Sequence, residues 1–323
     1  MPIEISEFRI PSGREGCRLF LRNKRLPDAI GVPLLCVHGA TYASTITFDY
    51  AIDGTSWMDW LARRGFDVWC IDLLGYGASD RPPEMALPPD ANAPLVDTEE
   101  AVADVHRAID HVLAQTGHAR LDLLGYSWGT AICGQAAGDA PEQVRRLVLS
   151  GALWLLERAP KTLVPDGLGA FRLVAAEATL ERWTQGLSGE QIACIGPRTR
   201  REAWATAAVA SDPDSAALDP PQLRAPAGVV KDALTRWLQG VAPYDPGRIC
   251  APTLVVVGEW DQETTPAQGR AVFDRLSAAA SRRYTLIGRG THSLLLEDQR
   301  GDLYRVVADF LREGDRSDPA FMP

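Results

Sequence analysis

Short apolar runs alternate along this chain with longer stretches whose apolar residues recur at helical spacing. Pro33 to Val37, Asp67 to Asp72, Leu121 to Leu124 and Arg146 to Ser150 are the early runs, and Thr253 to Val257 and Arg283 to Ile287 the late ones. Runs this short and this apolar suit strands buried on both faces of a parallel sheet. The stretches between them predict helices over Ser56 to Arg64, over Thr98 (as cap) to about Gln115, directly after Ser127, and over Pro266 to about Ala279. A closing helix is predicted over Leu294 to Leu311. Ile3 to Arg9 and Cys17 to Arg22 flank a Gly-containing turn and predict a hairpin. The alternation implies an α/β fold: a mostly parallel eight-stranded sheet flanked by helices.

Between about Ala152 and Pro246 the rhythm changes. No strand-like run is visible there. Ala-rich helical stretches, Trp154, Trp183, Trp204 and Trp237, and the connector SDPDSAALDPPQLRAP take its place. Residues 152–246 therefore read as a helical insertion into a core made of residues 1–151 and 247–323. The sequence after Gly314 reads as a mobile tail.

The formal net charge of −9 over 323 residues argues against nucleic acid or anionic membrane as partner, since both need concentrated Lys and Arg. No run of 18 apolar residues predicts a membrane span, and the start MPIEISEFRI has no signal-peptide character. None of the six cysteines forms a C-x-x-C pair, so neither a zinc site nor a redox dithiol is expected, and a reducing, cytoplasmic setting fits.

The chemistry concentrates in LDLLGYSWGTA. Gly125-Tyr126-Ser127-Trp128-Gly129 is a G-x-S-x-G placed directly after an apolar strand and before a helix. A serine on such a sharp turn stands clear of the backbone, and the glycines avoid clashes the turn would create. Composition alone yields roughly 0.1 such motifs in a chain of this length, so the strand–turn–helix context carries the weight. Serine is a weak nucleophile and needs a histidine base oriented by a carboxylate. Of the five histidines only His292 follows Ser127, in the loop IGRGTHSLLLED. Asp261 follows the TLVVV strand and is the candidate carboxylate, with Glu259 and Glu263 as competitors. All three candidates fall at C-terminal ends of strands, where open α/β sheets place their sites. The oxyanion of a tetrahedral intermediate needs backbone N–H donors, for which Trp128 and Ala40 are the candidates.

These segments together resemble the α/β-hydrolase superfamily, in its serine-nucleophile branch with a helical cap. His38-Gly39 resembles its oxyanion loop, Asp72 to Ser79 its D-x-x-G-x-G-x-S loop, Gly125 to Gly129 its nucleophile elbow, Pro252 to Asp261 the strand that delivers its acid, and Gly290-Thr291-His292 its histidine loop. The resemblance implies a Ser127–Asp261–His292 triad, and residues 152–246 as the cap. Related haloalkane dehalogenases and epoxide hydrolases carry aspartate where Ser127 stands, so neither activity is expected. Thr41 stands where many relatives carry proline or glycine, which leaves Ala40 and Thr41 both open as the second oxyanion donor.

The resulting expectation is hydrolysis of a small-molecule carboxylic ester through an acyl-enzyme, with no metal and no organic cofactor. The same residues would serve a thioester, amide, lactone, carbon–carbon bond or perhydrolysis, and a non-catalytic binding protein on this fold is the reading from another class. Thr41, Trp154 and Trp183 are expected near the substrate. An inward-turned arginine among Arg172, Arg182, Arg198, Arg200 and Arg201 would suit an ester carrying a carboxylate.

Overall fold

The computed structural model describes residues 1–29, 31–157 and 167–313. The tail expected after Gly314 lies outside the described residues. The chain opens with the hairpin β1 (Glu4–Pro11) and β2 (Arg18–Arg25), then β3 (Pro33–Val37), the short helices α1 (Ser44–Thr47) and α2 (Trp57–Ala62), and β4 (Asp67–Asp72). There follow α3 (Thr98–Thr116), β5 (Leu121–Tyr126), α4 (Trp128–Asp139) and β6 (Val144–Ser150). The 152–246 segment holds β7 (Phe171–Val174), α5 (Ala176–Trp183), α6 (Gly189–Cys194), α7 (Arg198–Ala210), β8 (Leu223–Pro226) and α8 (Gly228–Thr235). The chain then runs through β9 (Thr253–Gly258), α9 (Pro266–Arg275), β10 (Arg282–Ile287) and α10 (Arg300–Arg312).

Eight strands form one sheet in the order β1-β2-β4-β3-β5-β6-β9-β10. β1 and β2 pair antiparallel, and β2 pairs antiparallel with β4. All other neighbours are parallel. β3, β4 and β9 are buried along their whole length, as uninterrupted apolar runs require.

Three expectations need correction. The 152–246 segment does contain strands: β7 and β8 pair antiparallel, Phe171 opposite Pro226. Each has four residues, too few to show a period, and their pairing spans the segment, so no local pattern reveals it. The cap of α3 is Asp97, not Thr98: its side chain accepts from the Glu100 N–H while the Glu100 carboxylate accepts from the Asp97 N–H. The closing helix is split into a 3₁₀ turn, Leu294–Leu296, and α10. At the break the buried Glu297 carboxylate turns back to accept from the Thr291 N–H and hydroxyl, which fixes the loop carrying His292.

Candidate active site

Ser127 occupies the turn between β5 and α4 with φ 55° and ψ −120°, a left-handed conformation that costs energy for any side chain other than glycine. The surroundings enforce it. A Cβ on Gly125 would meet the Gly129 carbonyl oxygen at 2.3 Å, and one on Gly129 would meet the Val37 oxygen at 2.3 Å. Only glycines let β5, α4 and the end of β3 approach so closely. The Ser127 carbonyl accepts from the Thr130 hydroxyl at 2.5 Å, and its N–H donates to the Ser150 carbonyl at 2.9 Å. The same Thr130 oxygen accepts from the Leu153 N–H at 2.8 Å, tying the start of the 152–246 segment to this turn.

The structure brings Ser127, His292 and Asp261 together from three strand ends. His292 Nε2 lies 2.9 Å from Ser127 Oγ, and Nδ1 lies 2.9 Å from Asp261 Oδ2. Asp261 is almost fully buried. Its Oδ1 accepts from the N–H groups of Glu263 and Thr264, each at 2.9 Å, and Oδ2 accepts from the Thr264 hydroxyl at 2.9 Å. A carboxylate so saturated with donors is immobile, and by accepting from Nδ1 it fixes the imidazole tautomer that turns Nε2 to Ser127 as an acceptor. Of the two competing acids, Glu259 is occupied elsewhere, accepting from the Arg289 N–H. Glu263 stays close: its Oε2 is 3.7 Å from His292 Nε2. Burial alone would push His292 down, but the charges of Asp261 and Glu263 outweigh it and hold the imidazole above its ordinary value.

The loop after β3 packs on the serine turn. A Cβ on Gly39 would come within 2.7 Å of Ser127 Cβ. His38 is buried and pushed down to about 4 by desolvation, hence neutral; its Nε2 accepts from the Leu73 N–H at 3.0 Å and anchors this loop to the end of β4. Ala40 lines the cleft above Ser127. Trp128 opens α4, so its N–H has no acceptor within the helix. Thr41 does not line the cleft; its hydroxyl accepts from Arg172 Nη2 at 3.1 Å, and the residue is strained at φ 80°.

The cleft spans about 490 Å³, open solvent at its mouth included. Tyr42, Tyr126, Trp183, Trp204, Leu295 and Leu296 form its apolar walls, with Arg182 and Glu263 as its charged pair. Trp204 stands edge-on to both Tyr42 and Trp183, at 4.8 and 5.3 Å. The Trp183 indole N–H donates to Glu297 and that of Trp204 to the Ile46 carbonyl, so both rings are fixed. Trp154 is not in the wall. It packs edge-on to Tyr244 at 5.6 Å, under the Arg275 guanidinium, as an ordinary core aromatic.

The model of the alpha/beta hydrolase fold family matches residues 32–299. The chain belongs to this family. Solved structures of other α/β-hydrolases superpose on nearly all of it. An esterase from Thermogutta terrifontis is 18% identical with a TM-score of 0.59, over 95% of this chain and 98% of that one. A 2-hydroxy-6-oxo-6-phenylhexa-2,4-dienoate hydrolase from a Rhodococcus strain is 18% identical with a TM-score of 0.62, over 96% and 100%. An enol-lactonase from Burkholderia xenovorans is 19% identical with a TM-score of 0.57, over 93% and 98%. At these identities the likeness is one of fold. No curated protein matches the chain by sequence.

The five arginines named from the sequence of this α/β-hydrolase have different fates. Arg198 pairs with Glu202 on an exposed helix face, Arg200 with Asp298, and Arg201 donates to the Gly196 carbonyl. Arg182 holds Glu263 with two hydrogen bonds. Arg172 and Arg201 are both buried with no carboxylate partner among the described residues, and of the two it is Arg172 whose Nε has no acceptor. Tyr42 and Trp204 were not singled out from the sequence as wall residues. Tyr42 follows Thr41 directly, but only the fold shows that it meets Trp204. Among the described residues no helix is long and apolar enough to cross a membrane, and no cluster of His, Cys, Asp and Glu is arranged to hold a metal ion.

Proposed function

We propose that this α/β-hydrolase is a serine esterase that cleaves small carboxylic esters through an acyl-enzyme. The observation that carries the reading is the hydrogen-bonded series Ser127 Oγ–His292 Nε2 and His292 Nδ1–Asp261 Oδ2, both at 2.9 Å, at the foot of a cleft walled by aromatic and leucine side chains. In this reading Ser127 Oγ attacks the ester carbonyl as its proton passes to Nε2. The N–H groups of Ala40 and Trp128 hold the oxyanion. The imidazolium returns its proton to the departing alcohol, and water repeats the cycle to release the acid. The 152–246 segment acts as the cap: α5 and α7 supply Arg182, Trp183 and Trp204 to the cleft. Walls of indole, phenol and leucine favour an apolar, flat acyl or alcohol group over a long flexible one. All six cysteines are free, which supports a reducing compartment such as the cytoplasm.

One observation favours a variant of this reading, in which the ester carries a carboxylate. Arg172 is a buried guanidinium lacking a carboxylate partner among the described residues, and burying an unpaired charge is costly; it lies outside the cleft lining and bonds Thr41, next to Ala40, so a substrate carboxylate would have to extend past that loop to meet it.

The test is labelling with a fluorophosphonate, followed by rates over a panel of ester, thioester, lactone and diketone substrates. The serine-esterase reading expects a single adduct on Ser127, no adduct in Ser127→Ala, and loss of at least about a thousandfold in kcat in that variant. An unlabelled Ser127 would point instead to a binding protein on this fold. A diketone or lactone turned over faster than every ester would keep the residues but change the bond.

A further inference from the structure

Arg182 and Glu263 meet in the cleft from distant parts of the chain. Arg182 lies on α5, within the 152–246 segment, and Glu263 lies in the loop after β9, two residues past Asp261. Arg182 Nε donates to Glu263 Oε1 at 2.8 Å, and Nη2 donates to Oε2, a two-pronged grip. The gripped Oε2 is 3.7 Å from His292 Nε2, the nitrogen that also lies 2.9 Å from Ser127 Oγ. An N–H···O bond forms at about 3.2 Å or less, so this second carboxylate stands just outside reach of the basic nitrogen.

We infer that Arg182 is a positioning residue: by gripping Glu263 it keeps that carboxylate off Nε2 of His292, so that the base is free for Ser127 only while α5 is docked. The inference rests on the reading of Ser127, His292 and Asp261 as a triad. A carboxylate released from Arg182 needs only a side-chain rotation to reach Nε2. The imidazole would then lie between Asp261 on Nδ1 and Glu263 on Nε2, held as an imidazolium with no lone pair for the serine proton. Held at its observed distance, Glu263 instead favours the imidazolium that forms during the reaction without capturing it.

The other groups facing His292 leave this pair as the adjustable one. From the β9 loop, Asp261 is fixed by three donors besides the imidazole. From β5, the Tyr126 ring stacks on the imidazole and its hydroxyl donates to the His292 carbonyl at 2.8 Å. Glu297 is fixed by Thr291 and Trp183. Arg182 is the cation opposing these acids; burial would draw its proton off more easily, but the charge and hydrogen bonds of Glu263 outweigh that and hold it protonated. Glu263 correspondingly stays ionised: burial would raise it, but Arg182 and His292 draw it down to about 2.

The test compares wild type with Arg182→Gln, Glu263→Gln and the double variant. Two readouts are taken: the His292 ring titration by NMR, and kcat/KM on a neutral p-nitrophenyl ester against pH. Arg182→Gln should raise the His292 midpoint by about one unit and cut kcat/KM near neutral pH about tenfold. Glu263→Gln should lower the midpoint. The double variant should recover most of the loss seen in Arg182→Gln, because the freed carboxylate is gone. Arg182→Met, which keeps the packing of the stem, must give the same ordering should the Gln variant unfold. A double variant as impaired as Arg182→Gln, or a midpoint that stays or falls in the single variant, overturns the inference. The NMR midpoint does not depend on turnover. A full-rate Ser127→Ala variant would therefore refute the triad reading separately, whatever the titration shows.

Discussion

The phenol of Tyr126 donates to the main-chain carbonyl of His292 at 2.8 Å, and its ring stacks on the imidazole at 5.1 Å between centroids. The residue immediately before the candidate nucleophile thus holds the histidine that must serve it, from 166 positions away in sequence. Tyr126→Phe keeps the stacking and removes the hydrogen bond. A net hydrogen bond of about 1 kcal/mol predicts a rate loss of roughly fivefold, in kcat more than in KM. A loss exceeding a hundredfold, measured with the fold intact by circular dichroism, would show that the phenol does more than hold the loop.

Asp261→Asn retains the shape of the side chain but removes the charge facing Nδ1. The expected loss in kcat is about 10⁴-fold. Glu263→Gln, tested at a pH above the histidine midpoint, should cost less than about tenfold, because Glu263 touches neither ring nitrogen at bonding distance. Side-by-side kinetics of the two variants decide which carboxylate orients the base.

Activity should rise with pH through one ionisation lying above the ordinary histidine value of about 6.5, because burial of His292 is outweighed by Asp261 and Glu263. The base works only when neutral, so activity is lost as pH falls through that raised midpoint. The stability effect has the opposite sense. A raised folded-state value gives stability that is full below the unfolded value and fades as pH rises through the folded one. A kcat/KM profile from pH 5 to 9 and thermal melts over the same range check both. An activity midpoint below 6 would contradict the geometry around Nε2.

Arg172→Gln distinguishes a neutral substrate from a carboxylate-bearing one. If Arg172 meets a substrate carboxylate, kcat/KM for the acidic ester should fall at least about tenfold more than for its neutral analogue, the scale of a lost charged hydrogen bond. Equal losses would assign Arg172 to holding Thr41 through their 3.1 Å bond.

The core of the fold was legible because its strands are apolar throughout, as in Leu34 to Val37 and Leu254 to Val257, and such runs have few alternative homes. Ser127, His292 and Asp261 were legible because the turn at Ser127 needs glycines at 125 and 129, and because chain order left one histidine. The cleft walls were not. Nothing local to Tyr42 or Trp204 signals that they meet, since their contact depends on where α7 lies against the loop after β3. Trp154, nearest in sequence to the start of the 152–246 segment, was the natural guess for a wall and proved to be packing against Tyr244. Arg182 looked like one of several surface cations until Glu263 gave it a partner.

β6 and β9 are hydrogen-bonded neighbours, Val148 opposite Leu254 and Ser150 opposite Val256, although the whole 152–246 segment lies between them in sequence. The main sheet therefore closes its ladder without taking a strand from that segment, and the length of the connection enters stability only logarithmically. Selection can lengthen, shorten or re-sequence it while the serine turn stays where the sheet puts it, provided the segment still offers partners to Glu263 and Glu297 beside the histidine loop, as Arg182 and Trp183 do here. In such an architecture new substrate preferences arise by exchanging a module rather than by rebuilding the reaction centre, and a chimaera joined at Gly151 and Pro246 is the natural unit for engineering one.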